Sequence, residues 1–222
     1  MRREILMKIL TRVLDFIFPP VCGLCGKVES RYICDKCNKI IESITLNKID
    51  TYNNMYFSKH LYIFKYEDII REKIIDYKFN NKVYLYRMFS EMILKNENNI
   101  NFLKQYDILI PVPIHRIRKK RRGYNQSELI ARNISEEIKN IKLKLNILKK
   151  EKNTSAQSLL TKVERMENVK DVYKIINANE VKNKKVLILD DIFTTGSTIN
   201  ECSKVLKEAG SIDIGAITIA KD

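Results

Sequence analysis

The first apolar residues of the chain recur at helical spacing. Leu6, Ile9, Leu10, Val13 and Ile17 fall on one face of a helix predicted over residues 1–18. Lys8, Arg12 and Asp15 interrupt the run, and no small-residue cleavage site follows. The segment therefore reads as an amphipathic helix packing on its own protein or on a partner, not as a signal peptide. Residues 47–54 are polar and turn-like. Leu61 to Tyr66 reads as a strand, and Ile69, Ile70, Ile74 and Ile75 give a helix over 67–78, followed by another over 83–94. From there the rhythm is strand then helix. Asp107-Ile108-Leu109-Ile110 is a short strand ending in Pro111-Val112-Pro113, and Leu129, Ile130, Ile134, Ile138 and Ile141 mark a helix over 128–141. Residues 143–148 and 172–176 are candidate strands. Lys185-Val186-Leu187-Ile188-Leu189 is a bare apolar run, as expected of a parallel strand covered on both faces. A helix over 198–209, ended by Gly210, and a strand over 212–219 complete the pattern. Such alternation predicts an α/β fold: a parallel sheet flanked by helices, with ligands at the carboxyl ends of its strands.

At 222 residues, 45% of them apolar, the chain has room for one sizeable domain and a small appendage. Its formal charge of +14 calls for polyanionic partners, whether phosphorylated ligands, nucleic acid or an acidic surface; a lysine-rich solvated surface is the plainer reading. No uninterrupted apolar run reaches membrane-spanning length, so no membrane span is expected and the chain is placed in the cytoplasm.

Cys22, Cys25, Cys34 and Cys37 form C-x2-C-x8-C-x2-C. A C-x2-C turn brings two thiolates to one side of a tight knuckle, and two knuckles joined by a short hairpin complete a tetrahedral shell for Zn²⁺. Two disulfides are the alternative; a cytoplasmic setting and the paired spacing oppose it. With cysteine in all four positions the zinc is structural. Cys202 falls in a predicted helix and reads as core. The expected organisation is thus a helix over 1–18, a small zinc-knuckle module over 19–45 and an α/β domain over 55–222.

The chemistry sits after the bare strand. Asp190 and Asp191 are followed by Thr194-Thr195-Gly196-Ser197-Thr198, which turns directly into a helix. A helix N-terminus offers amides and partial positive charge to an anion, and glycine lets the backbone approach it. The hydroxyls of Thr194, Thr195, Ser197 and Thr198 add donors. The two carboxylates would repel a phosphate but suit vicinal hydroxyls, and could also hold a divalent metal directly or through water; the plainer reading is one aspartate capping the helix and the other paired to a lysine. Phosphate beside a diol outlines a ribose 5-phosphate. No G-x-x-x-x-G-K-[ST] is present, and the six glycines include no G-x-G-x-x-G, so P-loop and Rossmann sites are excluded.

An apolar strand followed by Asp-Asp-x-x-Thr-Thr-Gly-Ser-Thr resembles the 5-phosphoribosyl-1-pyrophosphate (PRPP) loop of type I phosphoribosyltransferases. Asp107 to His115, Arg122-Gly123-Tyr124-Asn125-Gln126-Ser127, and Thr154 to Gln157 with Arg165 and Asn168 narrow the resemblance to the ComF family. That family joins a four-cysteine zinc module to a phosphoribosyltransferase-like domain, and the likeness runs over about residues 15–222. It implies that Thr194 to Thr198 hold the 5-phosphate and that Asp190 and Asp191 are catalytic residues holding the ribose hydroxyls. It also implies a pyrophosphate loop at Val112 and Pro113, acting with Mg²⁺ and neighboured by Arg116, Arg122, Gly123, Asn125 and Gln126. Thr154 to Asn168 falls where such folds carry a loop over the active site. The family is linked to natural competence, so single-stranded DNA and proteins of the competence machinery are implied partners. The acceptor of any transfer is not implied. An amidophosphoribosyltransferase-like or base-salvage enzyme without a DNA role, and a PRPP-sensing regulator, are the alternatives.

Arg116-Ile117-Arg118-Lys119-Lys120-Arg121-Arg122 holds six basic residues in seven. The stretch can neutralise a pyrophosphate, or also line a groove for a nucleic-acid backbone with Tyr124 or a nearby aromatic stacking a base, or be a solvated charged turn. His115 reads as a positioned neighbour, and His60 carries no reading.

Overall fold

The computed structural model describes residues 19–152 and 171–222. The helix expected over 1–18 and the segment Thr154 to Asn168 lie outside the described residues. The chain divides into two compact units between Ile44 and Thr45.

The first unit opens with Val21 and Val28 in an antiparallel bridge that closes the first cysteine turn. Gly26 takes φ 75° there, and its N–H donates to the Cys22 carbonyl at 2.8 Å. The second cysteine pair departs from the two-knuckle expectation. Cys34 precedes, and Cys37 lies within, the first turn of helix α1 (Asp35–Ile44). The second pair is thus presented by a helix start, not by a second knuckle.

The second unit is built on a six-stranded sheet. Its strands are β1 (Thr45–Thr51), β2 (Lys59–Lys65), β3 (Ile108–Pro111), β4 (Lys142–Leu143), β7 (Lys185–Phe193) and β8 (Asp213–Lys221), in the order β1-β2-β8-β7-β3-β4. All neighbours pair in parallel except β1 with β2. The stretch 47–54, read as polar and turn-like, is therefore largely strand. β1 carries no apolar alternation because it is an edge strand, mostly exposed, with a register shift between Thr45 and Lys48 and Asn47 at φ 48°. The candidate strand at 143–148 is also corrected. Lys142–Leu143 closes the main sheet, while β5 (Leu148–Lys150) pairs antiparallel with β6 (Tyr173–Ile175) in a separate two-stranded sheet.

Helices α2 (Asp68–Phe79), α3 (Leu85–Leu94), α4 (Glu97–Leu103), α5 (Arg116–Arg122), α6 (Gln126–Glu137) and α7 (Ser197–Glu208) complete the unit. The bare apolar strand behaves as its composition demands. Val186 and Ile188 join Ile108, Ile110 and, from α7, Ile199, Cys202 and Leu206 in one cluster, while the alternate residues Leu187 and Leu189 are equally buried. Cys202 is core, as read. No helix among the described residues is long and apolar enough to cross a membrane.

The strand order sets where a ligand can bind. From β3 the chain moves outward to β4, and from β7 it moves the other way to β8. The crevice at the carboxyl ends of β3 and β7 is the switch point of the sheet, the general location of ligand sites in open α/β folds.

Candidate functional site

A cleft of about 380 Å³ opens at that switch point. Val112 and Pro113 line it from the turn after β3, Asp190 and Asp191 from the end of β7, and Thr194 and Thr198 from the loop into α7. Arg118, Arg122, Gln126 and Ser127 come from α5 and α6, Lys78 and Phe79 from the end of α2, and Lys150 and Tyr173 from β5 and β6.

The paired carboxylates have different surroundings. Asp191 is buried and ion-paired to Lys78, Oδ1 to Nζ at 2.8 Å. Asp190 Oδ1 accepts from the Asp191 amide at 2.9 Å and from Ser127 Oγ at 3.3 Å. Burial, followed by the charge of Asp191, pushes the Asp190 carboxyl up to about 7. One aspartate is thus neutralised by a lysine, while the other is partly protonated near neutrality.

The loop is shaped by Gly196 and Phe193. Gly196 caps α7 in the left-handed region at φ 74°, and a Cβ there would lie 2.5 Å from the Phe193 ring. That ring rests on His60, centroids 4.2 Å apart and 24° from parallel, with Tyr52 and Phe57 around it. His60 is a core residue: Nε2 meets Thr218 Oγ1 at 2.8 Å, and burial brings its pKa down to about 3, so it stays neutral. The Thr195 and Ser197 hydroxyls are 2.6 Å apart and face each other. Gly196→Ala combines a forbidden contact with an unfavourable φ. It is expected to cost about 2–4 kcal/mol of stability, read by thermal melting, and to weaken any anion binding by the loop at least tenfold in calorimetry.

The basic stretch is a helix, not a turn. His115 caps it, Nδ1 accepting from the Ile117 amide at 3.3 Å, and Gly123 ends it at φ 86°. Helical spacing then sorts the charges. Arg118 and Arg122, four residues apart, line the cleft; Lys119 pairs with Glu128 at 2.9 Å; Arg116, Lys120 and Arg121 are exposed and do not line it. Asn125 does not line the cleft but holds its wall, Nδ2 donating to the Val112 carbonyl at 3.0 Å. Tyr124, one of the candidates for base stacking, packs on Tyr77 with centroids 5.6 Å apart, and its hydroxyl donates to the Tyr77 carbonyl.

Lys150 escaped the sequence reading. It is 9% exposed, lies 5.3 Å from the centroid of the Tyr173 ring, and has no carboxylate partner among the described residues. Burial, then the charge of Arg118, pulls its pKa below the usual lysine value. A signal existed in the alternation of β5: the phase that buries Leu148 also buries Lys150 and exposes Lys149.

Four sulfurs gather in the first unit. Those of Cys22, Cys25, Cys34 and Cys37 all lie within 4.8 Å of one another, and Cys25 to Cys34 is 3.9 Å. A tetrahedron with metal–sulfur bonds of about 2.3 Å has edges of about 3.8 Å, so the cluster can hold a metal ion. The Cys34 amide donates to Cys22 Sγ at 3.4 Å. Burial raises the Cys22 thiol, but backbone N–H groups of Cys25, Cys34 and Leu24 outweigh it and bring the pKa to about 7.

A parallel sheet with an acidic strand end, a Thr/Ser-rich loop and a helix start at its switch point defines a phosphoribosyltransferase-type protein, and residues 100–222 match the family described as Phosphoribosyl transferase domain. Competence protein F of Haemophilus influenzae is 30% identical over 208 residues, covering 91% of this chain and 85% of its own. Competence protein ComFC of Bacillus subtilis is 24% identical over 199 residues, covering 86% and 72%. A DNA utilization protein of Escherichia coli is 29% identical over 108 residues, covering 49% and 46%. This chain belongs to the ComF family, with a type I phosphoribosyltransferase-like fold.

Proposed function

We propose that this protein binds PRPP or a related ribose phosphate in the switch-point cleft and acts in the uptake and processing of single-stranded DNA. The observation that carries the reading is that Thr194 and Thr198, the two ends of the loop, meet the Asp190–Asp191 pair on one cleft, which Thr195, Gly196 and Ser197 do not line. The loop seats the 5-phosphate at the start of α7, and the carboxylates accept hydrogen bonds from the ribose hydroxyls. The buried Lys150 ammonium, with Arg118 and Arg122, supplies positive charge for the pyrophosphate beside Val112 and Pro113. Mg²⁺ would accompany that pyrophosphate, and Zn²⁺ is the metal that four cysteines at this spacing suit best. A transfer would then proceed by loss of pyrophosphate and attack of a nitrogen nucleophile at ribose C1, with the cleft positioning the partners and stabilising the departing charge.

The DNA role is supported by the relatives named for competence and DNA utilization and by the exposed Arg116, Lys120 and Arg121. Calorimetric titration with PRPP and ribose 5-phosphate in Mg²⁺ tests the ligand. Heat is expected for both, with PRPP tighter; no heat for either overturns the assignment. Pyrophosphate release across a panel of bases and amines then separates an enzyme, for which one acceptor stands out, from a protein that binds PRPP without turnover. Binding to single-stranded DNA should fall steeply with salt.

A further inference from the structure

We infer that Phe79 is a stacking platform for a purine or pyrimidine base at the rim of the cleft, with the Arg122 guanidinium as its backing. The inference rests on the ribose-phosphate reading above and extends it to the flat group that lies beyond the sugar. Two sources share this chemistry: the base of a mononucleotide, seated through its ribose 5-phosphate, and a base of single-stranded DNA.

Phe79 is 60% exposed, and single exposed apolar side chains on an open surface signify nothing. This one differs in its surroundings. It lines the cleft shared by the carboxylate pair and by Thr194 and Thr198 of the Thr/Ser-rich loop. The residue before it, Lys78, is bonded to Asp191 at 2.8 Å, so the end of α2 is pinned to that pair. The Arg122 Cζ lies 5.3 Å from the centroid of the Phe79 ring. The neighbouring aromatics are already engaged, Tyr77 against Phe89 and Tyr124 against Tyr77, whereas Phe79 has no aromatic neighbour among the described residues. A ring held by a cation and otherwise open to the cleft is what a base needs for stacking. Phe79 offers no hydrogen-bonding edge, so it would accept any base, purines more tightly because of their larger face.

The test compares wild type with Phe79→Ala and Phe79→Trp. Each is titrated with ribose 5-phosphate, AMP and UMP, and with an oligothymidylate and an abasic oligonucleotide of equal length. Wild type is expected to bind AMP about 5- to 100-fold more tightly than ribose 5-phosphate. Phe79→Ala should keep the ribose 5-phosphate affinity and lose the preference, and Phe79→Trp should restore it. If the preference instead separates oligothymidylate from the abasic strand and vanishes in Phe79→Ala, the platform stands and DNA supplies the base. Unchanged preferences in Phe79→Ala on both arms overturn the inference. Failure of wild type to bind ribose 5-phosphate sinks the ligand reading itself, and the DNA arm alone then decides on Phe79.

Discussion

Asp190→Asn is expected to make the folded protein more stable at neutral and alkaline pH while weakening ribose-phosphate binding. Burial and the neighbouring Asp191 push the Asp190 carboxyl up to about 7, whereas in the unfolded chain it titrates near the ordinary aspartate value. Between about pH 4 and 7 the folded state therefore binds the extra proton. Stability falls as pH rises through that window, and the whole penalty is present above it. Asparagine carries no charge, and its Oδ1 can still accept from the Asp191 amide and Ser127 Oγ, the two bonds Asp190 makes now. The gain above pH 7.5 should be about 2–4 kcal/mol, or roughly 5–10 °C in Tm for a chain of this size, and it should vanish near pH 4. Calorimetric melting across pH 4–9 checks it; parallel profiles for the two proteins would refute it. Asp191→Asn should bring no such gain, because it strands the half-buried Lys78 that now pairs with Asp191. Either change removes charge-assisted bonds to a sugar hydroxyl, and a 10- to 100-fold loss of affinity is expected in titration.

The second large effect belongs to the cysteines. Cys22→Ser is expected to abolish metal binding and unfold the described residues before Thr45, leaving the larger unit folded. Cys22 is wholly buried and accepts from the Cys34 amide, so it joins the two halves of the cluster even before a metal is considered. Apart from Leu24, Ile33 and Ile41, the described part of this unit buries few large apolar side chains. A structural zinc site supplies on the order of 10 kcal/mol, which would then be most of its folding energy. Elemental analysis should find about one zinc per wild-type chain and none in the variant. Hydrogen exchange should show protection lost over residues 19–44 alone. Retention of both metal and protection would refute the zinc assignment.

What could be read from the sequence, and what could not, follows from which signals are local. The bare run Val186 to Leu189 and the Asp-Asp and Thr-Thr-Gly-Ser-Thr motifs announce themselves because a parallel strand buried on both faces tolerates nothing polar until its end. The cysteine spacing was equally plain, though not the helix on which the second pair sits. α5 was hidden because a helix of six cations has no apolar stripe; it is defined by its caps, His115 and Gly123, and by ion pairing to Glu128. β1 was hidden because an edge strand needs no buried face. Lys150 and Phe79 became visible only when the fold brought residues distant in sequence to one cleft. Their chemistry is positional: a buried lysine at a cleft and a phenylalanine beside an arginine look ordinary in one dimension.

The position of β8, between β2 and β7, has a consequence for how the molecule is made. β2 precedes β7 in the chain by more than a hundred residues, yet the two join one sheet only when the strand that follows both has slotted between them. A chain emerging from the ribosome must keep β2 and its apolar residues Leu61 to Phe64 waiting, with only the polar β1 as a sheet partner. Closure of this sheet thus waits for the last of its strands, and chains cut short before β8 would offer chaperones and proteases an unfinished edge rather than a smaller working protein.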